Sequence, residues 1–95
     1  MADVTAADPP SAVLPLTVRF FAAARAAAGS DATELTLRPG ATVGDAVSEL
    51  CCRSDELRLV LQKCSYLCDG VAVRDLSTVL LGHQTLDVLP PFAGG

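Results

Sequence analysis

The sequence predicts one α+β domain, in which a mixed sheet carries one main helix on one face. Residues 14–20 and 33–37 alternate between apolar and polar side chains, which is the period of half-buried strands. Residues 43–50 carry an apolar stripe at helical spacing. Further short apolar stretches follow, and two strands, a covering helix and more strands imply a mixed sheet. The length of 95 residues fits a single domain of this kind.

The first strand leads into a short Ala-rich segment. Alternation places Leu16, Val18 and Phe20 together on the inner face of that strand. Residues 22–28 are rich in alanine, and Gly29 after them is typical of a helical turn closed by a glycine C-cap. We expect the next strand to pair antiparallel with the first across this turn.

The main helix has a recognisable start. Pro39 and Gly40 break the preceding strand. Thr42 stands where an N-cap belongs, and Asp45, three residues later, completes a carboxylate version of the capping box. The apolar stripe that follows consists of Val43, Ala46, Val47 and Leu50.

The second half of the chain predicts more strands. Residues 57–61 form an apolar cluster that fits a short helix or the end of the main helix. Asp69-Gly70 between two short apolar runs is typical of a hairpin turn. Residues 85–89 predict a last strand, which ends at a Pro-Pro pair because proline cannot donate to a ladder.

Composition excludes several classes of partner. Seven basic residues stand against eleven acidic ones, a net charge of −4, so no basic stripe is available for phosphate backbones. Aromatic residues, at 4%, are too few for base stacking.

No segment reaches the ~18 apolar residues of a membrane span. Residues 1–13 lack the features of a secretory signal, and we expect a disordered leader there and a cytoplasmic protein.

The four cysteines are expected to be reduced thiols that pack as small hydrophobic side chains. A disulfide framework would need an oxidising compartment. A zinc site would prefer paired Cys units or His partners, whereas Cys51 and Cys52 are adjacent and His83 is distant from Cys64 and Cys68. The sequence therefore predicts no metal site.

The end of the sequence carries the most specific chemical signal. Gly95 has no Cβ beside its carboxylate, and Gly94 allows backbone conformations closed to other residues. Such an end can enter a narrow tunnel in another protein. Pro90 and Pro91 favour an extended path, and Phe92 offers an apolar anchor on it. We therefore divide the chain into the leader, a folded body at 14–89 and a flexible tail at 90–95.

Several motifs resemble the small, ubiquitin-like subunit of molybdopterin synthase over residues 14–95. The last motif is the most specific, because the Pro-Pro stem distinguishes this family from thiamine-pathway carriers that share the Gly-Gly end. The residues that carry the resemblance are Val18 to Ala22 with Arg25 and Gly29, Pro39 to Val43, Val71 to Val73, and Asp87 to Gly95.

The resemblance implies a β-grasp fold and the work of a sulfur carrier. In that family an activating enzyme uses ATP and magnesium to adenylate the terminal carboxylate, here that of Gly95, and a sulfurtransferase converts it to a thiocarboxylate. The tail then enters the large subunit and gives sulfur to cyclic pyranopterin monophosphate, which forms the molybdopterin dithiolene. The chain itself would be a non-catalytic subunit that binds no cofactor.

Alternation also predicts a docking patch beside the tail. Phe21 and Leu89 are expected to point outward from the first and last strands, which are neighbours in the implied fold. Two exposed apolar side chains at the tail root suggest an interface, together with the tail residues themselves. The predicted partner-binding residues are Phe21, Leu89, Pro90, Pro91, Phe92 and Ala93.

Other functions remain open at this point. A carrier for thiamine or tRNA thiolation would use the same Gly-Gly end. A ubiquitin-like modifier would instead join the activated Gly95 to lysines through an isopeptide bond. A plain interaction module would leave the tail inert.

Overall fold

The computed structural model describes residues 13–91. Nearly all of the predicted leader, together with Phe92, Ala93, Gly94 and Gly95, lies outside the described residues. Within 13–91 the chain forms five strands and three helices. In chain order they are β1 (Leu14–Phe20), α1 (Ala22–Ala28), β2 (Ala32–Leu37), α2 (Val43–Cys51), α3 (Asp55–Leu61), β3 (Ser65–Cys68), β4 (Val71–Ala72) and β5 (Gln84–Leu89).

The five strands form one mixed sheet in the order β2-β1-β5-β3-β4. The first and last strands lie side by side and parallel, whereas every other pair is antiparallel. The last strand therefore occupies the middle of the sheet and its end leaves from the sheet centre. This arrangement confirms the predicted β-grasp fold.

The inner face of β1 carries much of the core. Leu16, Val18 and Phe20 are buried, whereas Arg19 between them is exposed, which confirms the predicted alternation. They share one apolar cluster with side chains from the helices and from the other central strands. The remaining members of that cluster are Leu14, Ala24, Leu35, Val43, Ala46, Leu50, Leu57, Leu61, Tyr66, Leu80, Leu86 and Val88.

The Ala-rich segment is a helix, as predicted. Gly29 adopts a left-handed conformation (φ 79°), and its N–H donates to the carbonyl of Arg25 at 2.9 Å. Glycine tolerates this conformation at no steric cost, so it ends α1 and lets the chain return. The following strand, β2, then pairs antiparallel with β1.

The capping box of the main helix is formed as predicted. The Oγ1 of Thr42 accepts the N–H of Asp45 at 3.1 Å, and an Asp45 carboxylate oxygen accepts the N–H of Thr42 at 2.9 Å. Val43, Ala46 and Leu50 of α2 are buried, so the predicted stripe is the face that covers the sheet.

The apolar cluster at 57–61 belongs to a separate helix rather than to the end of α2. The Oγ of Ser54 accepts the N–H of Leu57 at 3.0 Å and caps the N-terminus of a new helix. Asp55 and Glu56 in the first turn favour this end of α3 electrostatically. Leu57 and Leu61 are buried, so α3 adds a second covering helix beside the main helix α2.

Asp69 and Gly70 form the predicted hairpin turn between β3 and β4. Both have positive φ, 49° and 83°, as the two central residues of a type I′ turn require. The Asp69 carboxylate also accepts the N–H of Thr85 at 2.9 Å. This bond ties the turn to the start of β5.

Tyr66 makes the stability of the fold sensitive to alkaline pH. Its hydroxyl is buried and donates to the carbonyl of Leu61 at 3.1 Å. Burial, with a smaller effect from the neighbouring thiols of Cys64 and Cys51, raises the pKa of Tyr66 from 10.0 to about 12. The folded state therefore favours the neutral phenol, and its stabilisation is complete below pH 10 and is lost as the pH rises toward 12.

We expect the free energy of unfolding to fall between pH 10 and 12, with Tyr66 contributing roughly 1–2 kcal/mol to the decline after solvent screening is allowed for. The control is Tyr66→Phe, which loses about 1 kcal/mol at neutral pH with the hydrogen bond but lacks this part of the decline. Denaturant unfolding at several pH values measures both. An equally steep decline in the Phe variant would contradict the assignment.

Candidate functional site

An apolar groove lies beside the carboxyl ends of the two interior strands β1 and β5, where the chain leaves the sheet. Since β1 and β5 are parallel, Phe21 directly after β1 and Leu89 at the end of β5 lie at the same end of the sheet. The groove has a volume of about 530 Å³. It is lined by Phe21, Ala22, Ala23, Ser65, Leu89, Pro90 and Pro91, none of which carries a charge.

Phe21 lies at the surface of this groove. Its exposure is 38%, compared with 4% for the preceding Phe20, so the predicted outward direction is confirmed. The chain turns sharply after it, because Ala22 adopts a positive φ of 50°, which is uncommon for a residue with a Cβ. The Phe21 N–H donates to the carbonyl of Val88 at 3.3 Å. This bond holds the ring beside β5.

The structure brings Leu89, Pro90 and Pro91 together with Phe21 in one groove. Leu89 and Pro90 are half-buried and Pro91 is exposed. The described residues of the predicted patch therefore line one groove at the root of the tail. The other predicted site residues, Phe92 to Gly95, follow directly but lie outside the described part of the chain.

An ion pair at the rim of the groove, between Arg19 and Asp87, was not predicted from the sequence. The Arg19 Nε donates to Asp87 Oδ1 at 2.7 Å, and Nη2 donates to Oδ2 at 3.0 Å. The guanidinium carbon also lies 5.5 Å from the centre of the Phe21 ring. These hydrogen bonds and the adjacent negative charge raise the pKa of Arg19.

Asp87 lies on the outer face of the sheet, as Leu89 does, but Arg19 covers it, and its side chain is only 10% exposed. Arg19 and Asp87 stand opposite each other in the parallel register, 68 positions apart in sequence. With the first and last strands taken as neighbours, the opposite charges at these facing positions could have predicted the pair.

The cysteines are free thiols. Cys51, Cys64 and Cys68 are half-buried against the core, as expected, and Cys52 is exposed. Burial raises the pKa of the Cys64 and Cys68 thiols, with a smaller contribution from Asp69 at Cys68. These two thiols are therefore poor nucleophiles at neutral pH.

Among residues 13–91, no three His, Cys, Asp or Glu side chains converge in a group able to hold a metal ion. His83 is exposed in its turn, away from the cysteines in sequence. No helix in the described range is long and apolar enough to cross a membrane.

The sheet order, the central parallel pair and the covering helix define a ubiquitin-like β-grasp protein. The chain belongs to the ThiS family, which matches residues 18–95, and it is a ubiquitin-like sulfur carrier of the ThiS type. The comparison with curated proteins found no match.

Solved structures agree with this assignment. The HVO 2177 protein of Haloferax volcanii is 29% identical, covers 88% of this chain and 89% of its own, and superposes with a TM-score of 0.77. SAMP1 of the same organism is 26% identical over 85% of this chain and 99% of its own, with a TM-score of 0.76. The complex of subunits 1 and 2 of molybdopterin-converting factor from Helicobacter pylori contributes a likeness of fold alone, at 20% identity, 86% and 100% coverage and a TM-score of 0.64.

Proposed function

We propose that this chain is the sulfur carrier subunit of a cytoplasmic molybdopterin synthase, with the carboxylate of Gly95 as the group that carries sulfur. The observation that supports this most is the apolar groove formed by Phe21 and Leu89 at the root of a Pro-Pro stem. It offers a partner a place to dock beside the departing tail. The family assignment supports the sulfur-carrying role.

The chemistry of the proposed cycle divides between this chain and its partners. A carboxylate is unreactive toward sulfur until one oxygen becomes part of a good leaving group, and adenylation with ATP and magnesium achieves this on the activating enzyme. The persulfide sulfur of a sulfurtransferase then attacks the acyl carbon and displaces AMP, and a thiol reductant cleaves the resulting acyl disulfide, which leaves a thiocarboxylate on Gly95. This chain contributes the tail and the docking surface.

The choice of the molybdopterin pathway depends on the residues of the tail and not on the fold. The stem Pro90-Pro91 and the residues up to Gly95 resemble the molybdopterin synthase subunit, whereas thiamine-pathway carriers share the Gly-Gly end without the Pro-Pro stem. The large subunit of that synthase is therefore the proposed acceptor, with cyclic pyranopterin monophosphate as the sulfur-receiving substrate.

Intact mass spectrometry tests the proposal. The chain is incubated with its adenylating enzyme, ATP, magnesium and a sulfurtransferase with a sulfur source. We expect a mass increase equal to the replacement of one oxygen by sulfur, located at Gly95 by peptide analysis, and dithiolene formation when the large subunit and the pyranopterin are added. A chain that stays unmodified would refute sulfur carriage; loading without transfer to the pyranopterin would refute the pathway.

A second candidate function is protein modification. It is favoured by the likeness to SAMP1, since solved relatives of that name are described as small archaeal modifier proteins. Here the activated Gly95 would form an isopeptide bond with a lysine. Conjugates that persist under reducing conditions on a blot, and that carry a Gly-Gly remnant on lysine by mass spectrometry, would identify this use.

The cysteines are not expected to take part in sulfur transfer, because the terminal carboxylate can carry the sulfur itself. Replacing all four with alanine should leave thiocarboxylate yield unchanged. Some stability should be lost, roughly 1 kcal/mol per half-buried position, since Cys51, Cys64 and Cys68 pack on the core. Intact mass and denaturant unfolding measure the two effects. Loss of loading in a variant that still folds would contradict the prediction.

A further inference from the structure

We propose that Lys63 is an acceptor site for the activated carboxyl group of Gly95 in the same chain. Attack by the lysine amine joins the tail to the folded body through an isopeptide bond and leaves a closed chain that cannot carry sulfur. The inference rests on the activation of Gly95 in the proposed function, and it adds a second fate for the activated group when sulfur is absent.

Lys63 carries the one side-chain amine of the sequence. The other six of the seven basic residues are arginines. A guanidinium group stays protonated in proteins and does not attack an acyl carbon, whereas a lysine amine is a nucleophile once it has lost a proton. An activated carboxyl group that reacts within the chain therefore has a single side-chain amine as its acceptor.

The structure places Lys63 at the end of the sheet from which the tail leaves. Lys63 is exposed in the turn between α3 and β3, where its N–H donates to the carbonyl of Val60 at 3.0 Å. Ser65, two residues later, stands opposite Leu89 in the antiparallel register of β3 and β5, and it lines the groove at the tail root. The amine is thus carried by a residue beside the point where the tail begins.

The tail is long enough to bring Gly95 back to Lys63. Residues that face each other on antiparallel strands have Cα atoms about 5 Å apart, and two residues span at most about 7 Å, so the Cα of Lys63 lies within about 12 Å of that of Leu89. The tail, residues 90–95, spans up to about 20 Å when extended. The four residues after the Pro-Pro stem are enough for a β-turn, and Gly94 accepts the conformations that such turns require.

The closing step uses only the acyl adenylate of the proposed cycle. The Nζ of Lys63 attacks the acyl carbon of Gly95, the bond from that carbon to the phosphate oxygen breaks, and AMP leaves with the electron pair. The proton of the amine goes to solvent. The product has the mass of the unmodified chain less one water.

Closure within one chain is favoured over attack on a second copy. A short linker holds its two ends at an effective concentration in the millimolar range, roughly a thousandfold above a protein concentration of about 1 μM. The closed fraction should therefore not depend on the protein concentration, whereas joined dimers should become rarer on dilution.

The test incubates the chain with its adenylating enzyme, ATP and magnesium in the absence of a sulfur source. Intact mass and peptide mapping identify the products, and a parallel reaction with the sulfurtransferase and a sulfur source reports whether Gly95 is activated. One variant is Lys63→Arg. The matched control, Arg38→Lys/Lys63→Arg, keeps one lysine and the same net charge but moves the amine.

Arg38 suits this control because it lies at the opposite end of the sheet. It follows Leu37, which pairs with Leu14 at the start of β1, and the seven residues of β1 separate that end from the tail root by about 20 Å. The relocated amine is beyond easy reach of its own tail and remains available to a second copy. Melting curves establish that both variants fold.

We expect the unaltered chain to lose one water as a monomer, to yield a peptide that links Lys63 to Gly95, and to close to the same extent after tenfold dilution. Both variants should close at least tenfold less and should load sulfur normally. Equal closure by either variant would overturn the proposal, because a cysteine, the first amino group of the chain or a distant lysine would then be the acceptor.

Two further outcomes also count against closure within one chain. Joined dimers in place of closed monomers would assign Lys63 to reaction between copies. An open chain that nevertheless loads sulfur would refute the closure alone and leave the carrier function standing. A chain that neither closes nor loads sulfur would refute the activation of Gly95, and the carrier function would fail together with the closure.

Discussion

Deleting Gly95 is expected to abolish sulfur loading while leaving the fold intact. The deletion moves the terminal carboxylate back by one residue along the tail, a shift of roughly 3.3–3.6 Å in an extended chain. Misplacement of a reacting group by ~1 Å can already cost about a hundredfold in rate. Thiocarboxylate yield by intact mass after incubation with the activating enzyme, ATP and a sulfur source measures the effect.

Gly94→Val should have a similar effect for a different reason. Valine adds a branched side chain where the walls of the partner's tunnel must approach the backbone, and it restricts the backbone and χ1 conformations available to the tail. The carboxylate of Gly95 keeps its position along the tail in this variant. It therefore tests steric entry into the tunnel separately from the length of the tail. A loss with both variants would indicate that the tail acts as a threaded element.

The fold supplies the control for both tail variants. The last strand ends at Leu89, and among residues 13–91 the core cluster contains none after Val88. Circular dichroism and melting temperature should therefore equal those of the parent. Full sulfur loading of the Gly95 deletion would show that the terminal Gly-Gly is not the functional group and would leave the carrier proposal without its central residue.

The parts of the fold that the sequence predicted are those set by local signals. The capping box joins Thr42 and Asp45, which are three residues apart, and the hairpin turn needs only Asp69 and Gly70. Gly29 ends α1 by the conformation of one residue. Each of these features depends on neighbours in the chain, so a single sequence carries the information.

The start of α3 decides between the two alternatives that the sequence left open, a separate helix and an extension of α2. Ser54 precedes Asp55 and Glu56, which is the order of an N-cap followed by acidic residues in the first turn. The short connection after α2 hid this boundary, because the apolar spacing runs through Cys51 toward Leu57. The cap, rather than the periodicity, distinguishes two helices from one.

The Arg19–Asp87 pair could not be found from local pattern. The two residues are 68 positions apart and meet only because β1 and β5 pair in parallel with that register. Alternation alone places Asp87 on the outer face of the last strand and carries no information about what covers it there. Its burial arises from a side chain on the neighbouring strand, which is a property of the sheet. The outward directions of Phe21 and Leu89 were predictable because each follows from the alternation within a single strand.

Replacing Phe21 or Leu89 with aspartate is expected to weaken binding to the large subunit by about tenfold or more. An aspartate in the groove would face an apolar group of the partner without a compensating charge, at a cost of about 1–3 kcal/mol, and each 1.4 kcal/mol corresponds to about tenfold in affinity. Phe21 is 38% exposed and the core phenylalanine is its neighbour Phe20, so Phe21→Asp should fold. Leu89 is half-buried, so Leu89→Asp should also lose some stability.

The matched control is Leu81→Asp. Leu81 is 80% exposed and precedes the other end of β5, so it offers the same chemical change far from the groove. Calorimetric titration with the large subunit gives the dissociation constants, and denaturant unfolding gives the stability of each variant. Unfolding of Phe21→Asp would mean that its ring belongs to the core. Normal binding by both groove variants would exclude the groove as the docking site. Equal weakening by Leu81→Asp would also exclude it, because Leu81 lies at the opposite end of β5 from the groove.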